Sequence, residues 1–132
     1  MILDHIGIAV KDLKSSNDLF SKLLNQAPFK SEKVIDQQVQ VSFFKSGGSK
    51  IELLESMNPE SAIAKFIDKK GEGIHHIAFL VDNIHAEIIR LKEHGFQPLM
   101  SEPRKGANNK WVFFFHPKTT NGVLIEICQE IA

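Results

Sequence analysis

"GEGIHHIAFLVDNI", residues 71–84, sets two adjacent histidines between a glycine-broken turn and an apolar run that ends in polar residues. The chain opens on the same form. In "LDHIGIAVKDL", residues 3–13, His5 precedes a short apolar run and a polar turn. His5 to His76, Val10 to Val81 and Leu13 to Ile84 are each separated by 71 residues. A second echo lies further on. "KIELLE" (50–55) matches "LIEIC" (124–128), with Glu52 and Glu126 74 apart, an offset that small loop insertions absorb. Two copies of one unit decide the fold more firmly than any single motif.

The elements follow from periodicity. "ILDHIGIAV" is short and rich in β-branched residues, a strand. In "SSNDLFSKLLNQ" Leu19, Phe20, Leu23 and Leu24 recur at helical spacing; Ser15 or Ser16 is the expected cap and Pro28 the expected stop. "FKSEKVI", "VQVSFF" and "SKIELLE" read as strands, the last two joined by the turn "KSGGS". "NPESAIAKFIDKKGEG" is a connector with a short helix, started by Pro59 and Ser61 and stopped by Gly71 and Gly73. The pattern then repeats: "IHHIAFLV" a strand, "NIHAEIIRLKEHG" a helix ended by Gly95, and "FQPLMSEP", "KWVFFFH" and "GVLIEICQEI" strands. The expected fold class is α+β, with tandem βαβββ modules forming a cupped eight-stranded mixed sheet. The expected organisation is a single domain, 1–132, with modules at 1–56 and 74–132 and a helical linker at 57–73.

Composition narrows the function. The chain has 132 residues, enough for one core without staples. Its 16 basic and 16 acidic residues cancel, which argues against a nucleic-acid partner. No apolar run approaches the ~20 residues of a membrane span. "MILDHIGIAV" lacks a basic region and a cleavage site, and reads as a strand rather than a signal peptide. The one cysteine, Cys128, is expected to be a core hydrophobe, and cytoplasmic localisation fits.

Side chains alternate along a strand, so His5, Gly7 and Ala9 share one face, and His76, Ala78 and Leu80 the matching one. Glu52 and Glu126 each interrupt an apolar strand. A buried carboxylate needs a partner. One histidine and one glutamate per copy meet that need by sharing a divalent metal, with imidazole and carboxylate ligands suited to Mn, Fe, Co, Ni or Zn and less to Mg. His5, Glu52, His76 and Glu126 are therefore the candidate ligands, in a set that leaves positions open for substrate. His75 faces the other way; His85 and His94 are expected in solvent.

"LDHIGIAVKDL", "IELLE", "SAIAKFIDKKGEGIHHIAFLVDNI", "PRKGA" and "FFHPKTTNGVLIEI" together resemble the vicinal oxygen chelate superfamily and, within it, the methylmalonyl-CoA epimerase family. The resemblance covers nearly the whole chain. It implies metal ligands at His5, Glu52, His76 and Glu126, one divalent ion (Co, Ni, Mn, Zn or Mg), a homodimer and an acyl-CoA thioester substrate. The implied activity is epimerisation at the α-carbon through an enolate. Inversion calls for a base on each face or one mobile base, and Glu52 and Glu126, on symmetry-related sides of the metal, are the candidate catalytic groups. Lys118, Arg104 and His116 are the candidate substrate-binding residues. Some members carry a further acid after an "EQGV"-like turn; Ser42 is expected about where it would lie. The alternatives are glyoxalase I, against which "HPKTTNGVLIE" argues, and a non-enzymatic resistance-type binding protein, against which four intact ligands argue.

Overall fold

The computed structural model describes residues 1–132. Eight strands form one mixed sheet, accompanied by three helices. The chain divides into two compact units, one of His5–His75 and one of Met1–Asp4 with His76–Ala132.

In the first unit β1 (Ile2–Ala9), whose residues before His5 belong to the other unit, leads into α1 (Leu13–Leu24), then β2 (Lys30–Val34), β3 (Val39–Ser46), β4 (Ser49–Ser56) and α2 (Ala62–Lys70). The strand order is β2-β3-β4-β1; β1 runs parallel to β4 and the other neighbours are antiparallel. The Leu13 N–H begins α1, and Asp12 caps it, its carboxylate accepting the Ser15 N–H at 3.1 Å. The expected cap at Ser15 or Ser16 is thus corrected. Asp12 has the extended backbone that a cap needs, and Leu13 is the first residue to bury on the sheet. The helix ends before Pro28, at Asn25, which takes a left-handed conformation (φ 54°). Leu13, Phe20 and Leu24 pack with Val10, Phe44 and Leu53. Leu19 and Leu23, also at helical spacing, turn outward.

The second unit repeats the plan. β5 (Gly73–Leu80), α3 (Ile84–Glu93), β6 (Arg104–Gly106), β7 (Lys110–Phe115) and β8 (Ile125–Glu130) follow one another. The order is β5-β8-β7-β6, with β5 parallel to β8 and the rest antiparallel. Its core joins Ile84 and Leu91 to Phe113, Phe115 and Ile127. "FQPLMSEP" is not a strand: a single bridge, Pro98 to Phe115, is all it forms, and the short edge strand lies later, at Arg104–Gly106. Leu99 N–H donates to the Phe114 carbonyl at 3.0 Å and His116 N–H to the Gln97 carbonyl at 2.7 Å on either side of that bridge.

The repeat extends to hydrogen bonds. Glu55, three residues after Glu52, accepts the Leu13 N–H at 3.1 Å; Gln129, three after Glu126, accepts the Ile84 N–H at 2.7 Å. Each carboxylate-bearing strand therefore holds the start of its own unit's helix. Val10 N–H donates to the Leu54 carbonyl at 2.9 Å and Val81 N–H to the Cys128 carbonyl at 2.8 Å, again the same contact twice.

Candidate active site

Register fixes what shares a face. In the first unit Gly7 and Phe43 are the strand partners of Glu52. In the second Ala78 and Phe114 are the partners of Glu126. A small residue and a phenylalanine thus flank each glutamate, and each histidine lies two residues ahead of the small residue, on the same face.

The histidine–glutamate pairs form within the units. His5 Nδ1 stands 3.1 Å from Glu52 Oε2, and His76 Nε2 stands 3.3 Å from Glu126 Oε1. All four side chains are buried. A carboxylate in such surroundings is costly without a polar partner, and each has an imidazole. The two imidazoles present different nitrogens. Phe114 meets the His76 ring edge-on, with centroids 5.8 Å apart at 84°, and so fixes that ring's plane.

The other predicted residues lie further out. Arg104 is the β6 partner of Val112, and Val112 lies two residues from Phe114 on the Glu126 face. Arg104 is therefore an exposed cation at the edge of the carboxylate face. His116 caps the 3-10 turn Pro117–Thr119, its Nδ1 accepting the Lys118 N–H at 3.0 Å. That bond leaves Nε2 as the nitrogen carrying hydrogen in the neutral ring. The Lys118 side chain is exposed. His75 packs edge-on against Phe66 at 4.9 Å; burial, with the Lys70 charge, pulls its imidazole down to about 4. His85 and His94 are exposed and Cys128 is buried, as expected.

Ser42 does not occupy the carboxylate face. It is the β3 partner of Leu53, whereas Phe43 is the partner of Glu52, so Ser42 points to the α1 side. Val39, Val41, Phe43 and Lys45 are the β3 residues on the Glu52 side, and none is an acid. A pair that sequence reasoning missed is Asp4 with Lys110, 3.5 Å apart, both side chains 6% exposed. Lys110 opens an apolar strand, "KWVFFF", where a lysine reads as a solvated strand end. The hint was Asp4 itself, beside a candidate ligand.

Residues 4–115 match the Glyoxalase/Bleomycin resistance protein/Dioxygenase superfamily, and the chain belongs to it. The uncharacterized protein YqjC of Bacillus subtilis is 41% identical over 127 residues, which are 96% of this chain and 91% of that protein. The ethylmalonyl-CoA/methylmalonyl-CoA epimerase of Cereibacter sphaeroides is 40% identical over 129 residues, 96% of each chain. Among solved structures, a variant of Streptomyces coelicolor methylmalonyl-CoA epimerase in complex with 2-nitronate-propionyl-CoA is similar at a TM-score of 0.92 and 33% identity, covering 100% of this chain and 96% of that one. By that kinship the chain is an enzyme of the isomerase class, in its epimerase group.

Proposed function

We propose that this enzyme epimerises 2-methylmalonyl-CoA at the α-carbon, and that His5, Glu52, His76 and Glu126 together hold one divalent ion, Co, Ni, Mn, Zn or Mg. The observation that carries the reading is the twofold occurrence of a buried histidine–glutamate pair at matching strand positions. The donor chemistry fits an ion. Two donors at right angles, each ~2.1 Å from a metal, are separated by about 3 Å, and the two pairs stand at 3.1 and 3.3 Å. His5, His76 and Glu126 are buried donors of the kind such an ion takes.

The reaction removes the proton between a thioester and a carboxylate, then returns one to the opposite face. Glu52 and Glu126 are the only carboxylates of the two repeated pairs, and they serve as base and acid. One accepts the α-proton and leaves a planar enolate; the other delivers a proton from the far side, which inverts the centre. A divalent ion in this ligand set supplies Lewis-acid stabilisation of the charge that develops on the thioester oxygen. The flanking Phe43 and Phe114 keep water from the carboxylates. Arg104, on the Glu126 face, neutralises the substrate's free carboxylate, and Lys118 reaches the same anionic end. His116 orients that turn and presents Nε2 to the substrate. The enzyme works as a cytoplasmic homodimer.

The test is direct. Purified protein, stripped with a chelator and reloaded with each metal, is given (2R)- or (2S)-methylmalonyl-CoA, and in parallel methylglyoxal with glutathione. The reading expects inversion of either enantiomer, lost on stripping and regained on reloading, and no lactoylglutathione. Lactoylglutathione without inversion would make it a glyoxalase.

A further inference from the structure

The boundary between the two compact units falls at the Asp4–His5 and His75–His76 peptide bonds, directly ahead of each candidate ligand histidine. The residue before each histidine is therefore held in the unit to which that histidine does not belong. Asp4 lies in the second unit, where the Lys110 ammonium stands 3.5 Å from its carboxylate, both side chains 6% exposed. Lys110 is fixed in turn by its ladder, opposite Glu130 on β8 and Gly106 on β6. His75 lies in the first unit, where its ring meets Phe66 of α2 edge-on at 4.9 Å and 85°. The Lys70 ammonium stands 5.8 Å from the centre of the Phe66 ring and steadies it. Asp4 and His75 are 71 residues apart, the offset of the repeat, so the two anchors occupy equivalent positions with different chemistry.

A buried ion pair is a poor way to gain stability, because an apolar pair of similar volume does as well or better. What it does supply is a fixed direction. The ladders that join β1 to β4 and β5 to β8 start at His5 with Lys50 and at Ile77 with Ile125. Each histidine thus stands at the start of its ladder, and the peptide ahead of it sets where its ring points. Side chains alternate along a strand, so an anchor on one face of that peptide commits the histidine to the other face. We infer that Asp4–Lys110 and His75–Phe66 are positioning contacts, each locking the peptide before a histidine and so presenting that imidazole, His5 or His76, to the ion. Outer partners of this kind orient ligands and tune how tightly a metal is held. The inference rests on the reading of His5 and His76 as ligands and deepens it by naming what aims them.

The test uses the whole chain, stripped of metal and titrated with Co²⁺, whose visible spectrum reports ligand geometry. Lys110→Met should weaken Co²⁺ binding about tenfold or more and alter the spectrum; Lys110→Arg should restore both. His75→Ala should do the same through His76, with His75→Phe restoring. Adding Asp4→Asn to Lys110→Met should return part of the lost stability, yet leave the affinity low, because stability alone does not aim the ring. Leu91→Ala, which opens a cavity beside Ile84, Phe113 and Phe115, should lose stability and keep wild-type affinity and spectrum. In the metal-free protein, the ring-nitrogen NMR signals of His5 should shift in the Lys110→Met variant, and those of His76 in the His75→Ala variant. Should Lys110→Met not fold, the double variant and the two His75 variants decide in the same way. Affinity that follows stability across the whole set, with ring signals unshifted, would make both contacts merely structural and overturn the inference. A wild type that binds no Co²⁺ would remove the metal reading, and the ring signals would still decide the anchors: shifted, they uphold them; unshifted, they overturn them.

Discussion

The Ser42 hydroxyl is fully buried between β3 and α1 and has no hydrogen-bond partner. A buried polar group left unsatisfied costs about 1–3 kcal/mol, and its neighbours Phe44 and Leu53 need nothing from it. Ser42→Ala should therefore stabilise the fold by about 1 kcal/mol without changing turnover, as read by urea unfolding; a loss of stability would show that the hydroxyl is satisfied. His75 gives a pH signature. Its imidazole titrates near 4 in the folded chain against 6.5 when free, so the unfolded chain binds the proton first. The stability this neutral ring contributes is complete above pH 6.5 and is lost as pH falls from 6.5 towards 4. His75→Phe, which keeps an aromatic partner for Phe66, should flatten that part of the pH–stability curve; an unchanged slope would mean that His75 is not its source. His5 and His76 were legible because they recur in one register, and His75 because it does not. The side on which Ser42 falls was not legible, since its pairing with Leu53 depends on the register of two strands across a hairpin.

The hairpin between β3 and β4 turns at Gly47 and Gly48, and Gly47 takes φ +60°. An alanine methyl there would meet nothing within 4 Å, so space is not the issue. The left-handed backbone is, at roughly 1–2 kcal/mol for a residue with a Cβ. Gly47→Ala should lose about that much stability and Gly47→Asn less, by the same unfolding measurement; equal stabilities would mean that the turn adopts another form. The buried Asp4–Lys110 pair lies within the second unit, to which the first four residues of the chain belong. Lys110→Met should cost about 3 kcal/mol, because it leaves a carboxylate buried without its cation. Asp4→Asn combined with Lys110→Met should recover part of that loss, and additive losses would show that the pair carries no coupling. Strands and helices were legible where periodicity was strong, in β4, β5, β8 and α3. They were misread where one residue outweighs it. Asp12 took the cap from two serines because an extended backbone and a carboxylate meet there, and "FQPLMSEP" meets the sheet only at the single bridge from Pro98 to Phe115.

At the scale of the molecule, a parallel and two antiparallel pairings recur in the same order in both halves. The repeat was visible as two constant offsets, 71 and 74 residues, and it brought the four candidate ligands into view together. The roles proposed for Glu52 and Glu126 give each face of the substrate one acid–base group, so removing either should leave an asymmetry between the enantiomers. Glu52→Gln and Glu126→Gln should each bind divalent metal close to wild type, since an amide oxygen still coordinates, and lose turnover by roughly 10²–10⁴. The most direct measurement follows α-deuteration in D₂O by NMR, from (2R)- and from (2S)-methylmalonyl-CoA, with wild type and both metal-loaded variants. The account predicts that one variant loses exchange from one enantiomer and the other variant loses it from the opposite enantiomer. Near-wild-type exchange from both enantiomers in both variants would contradict it.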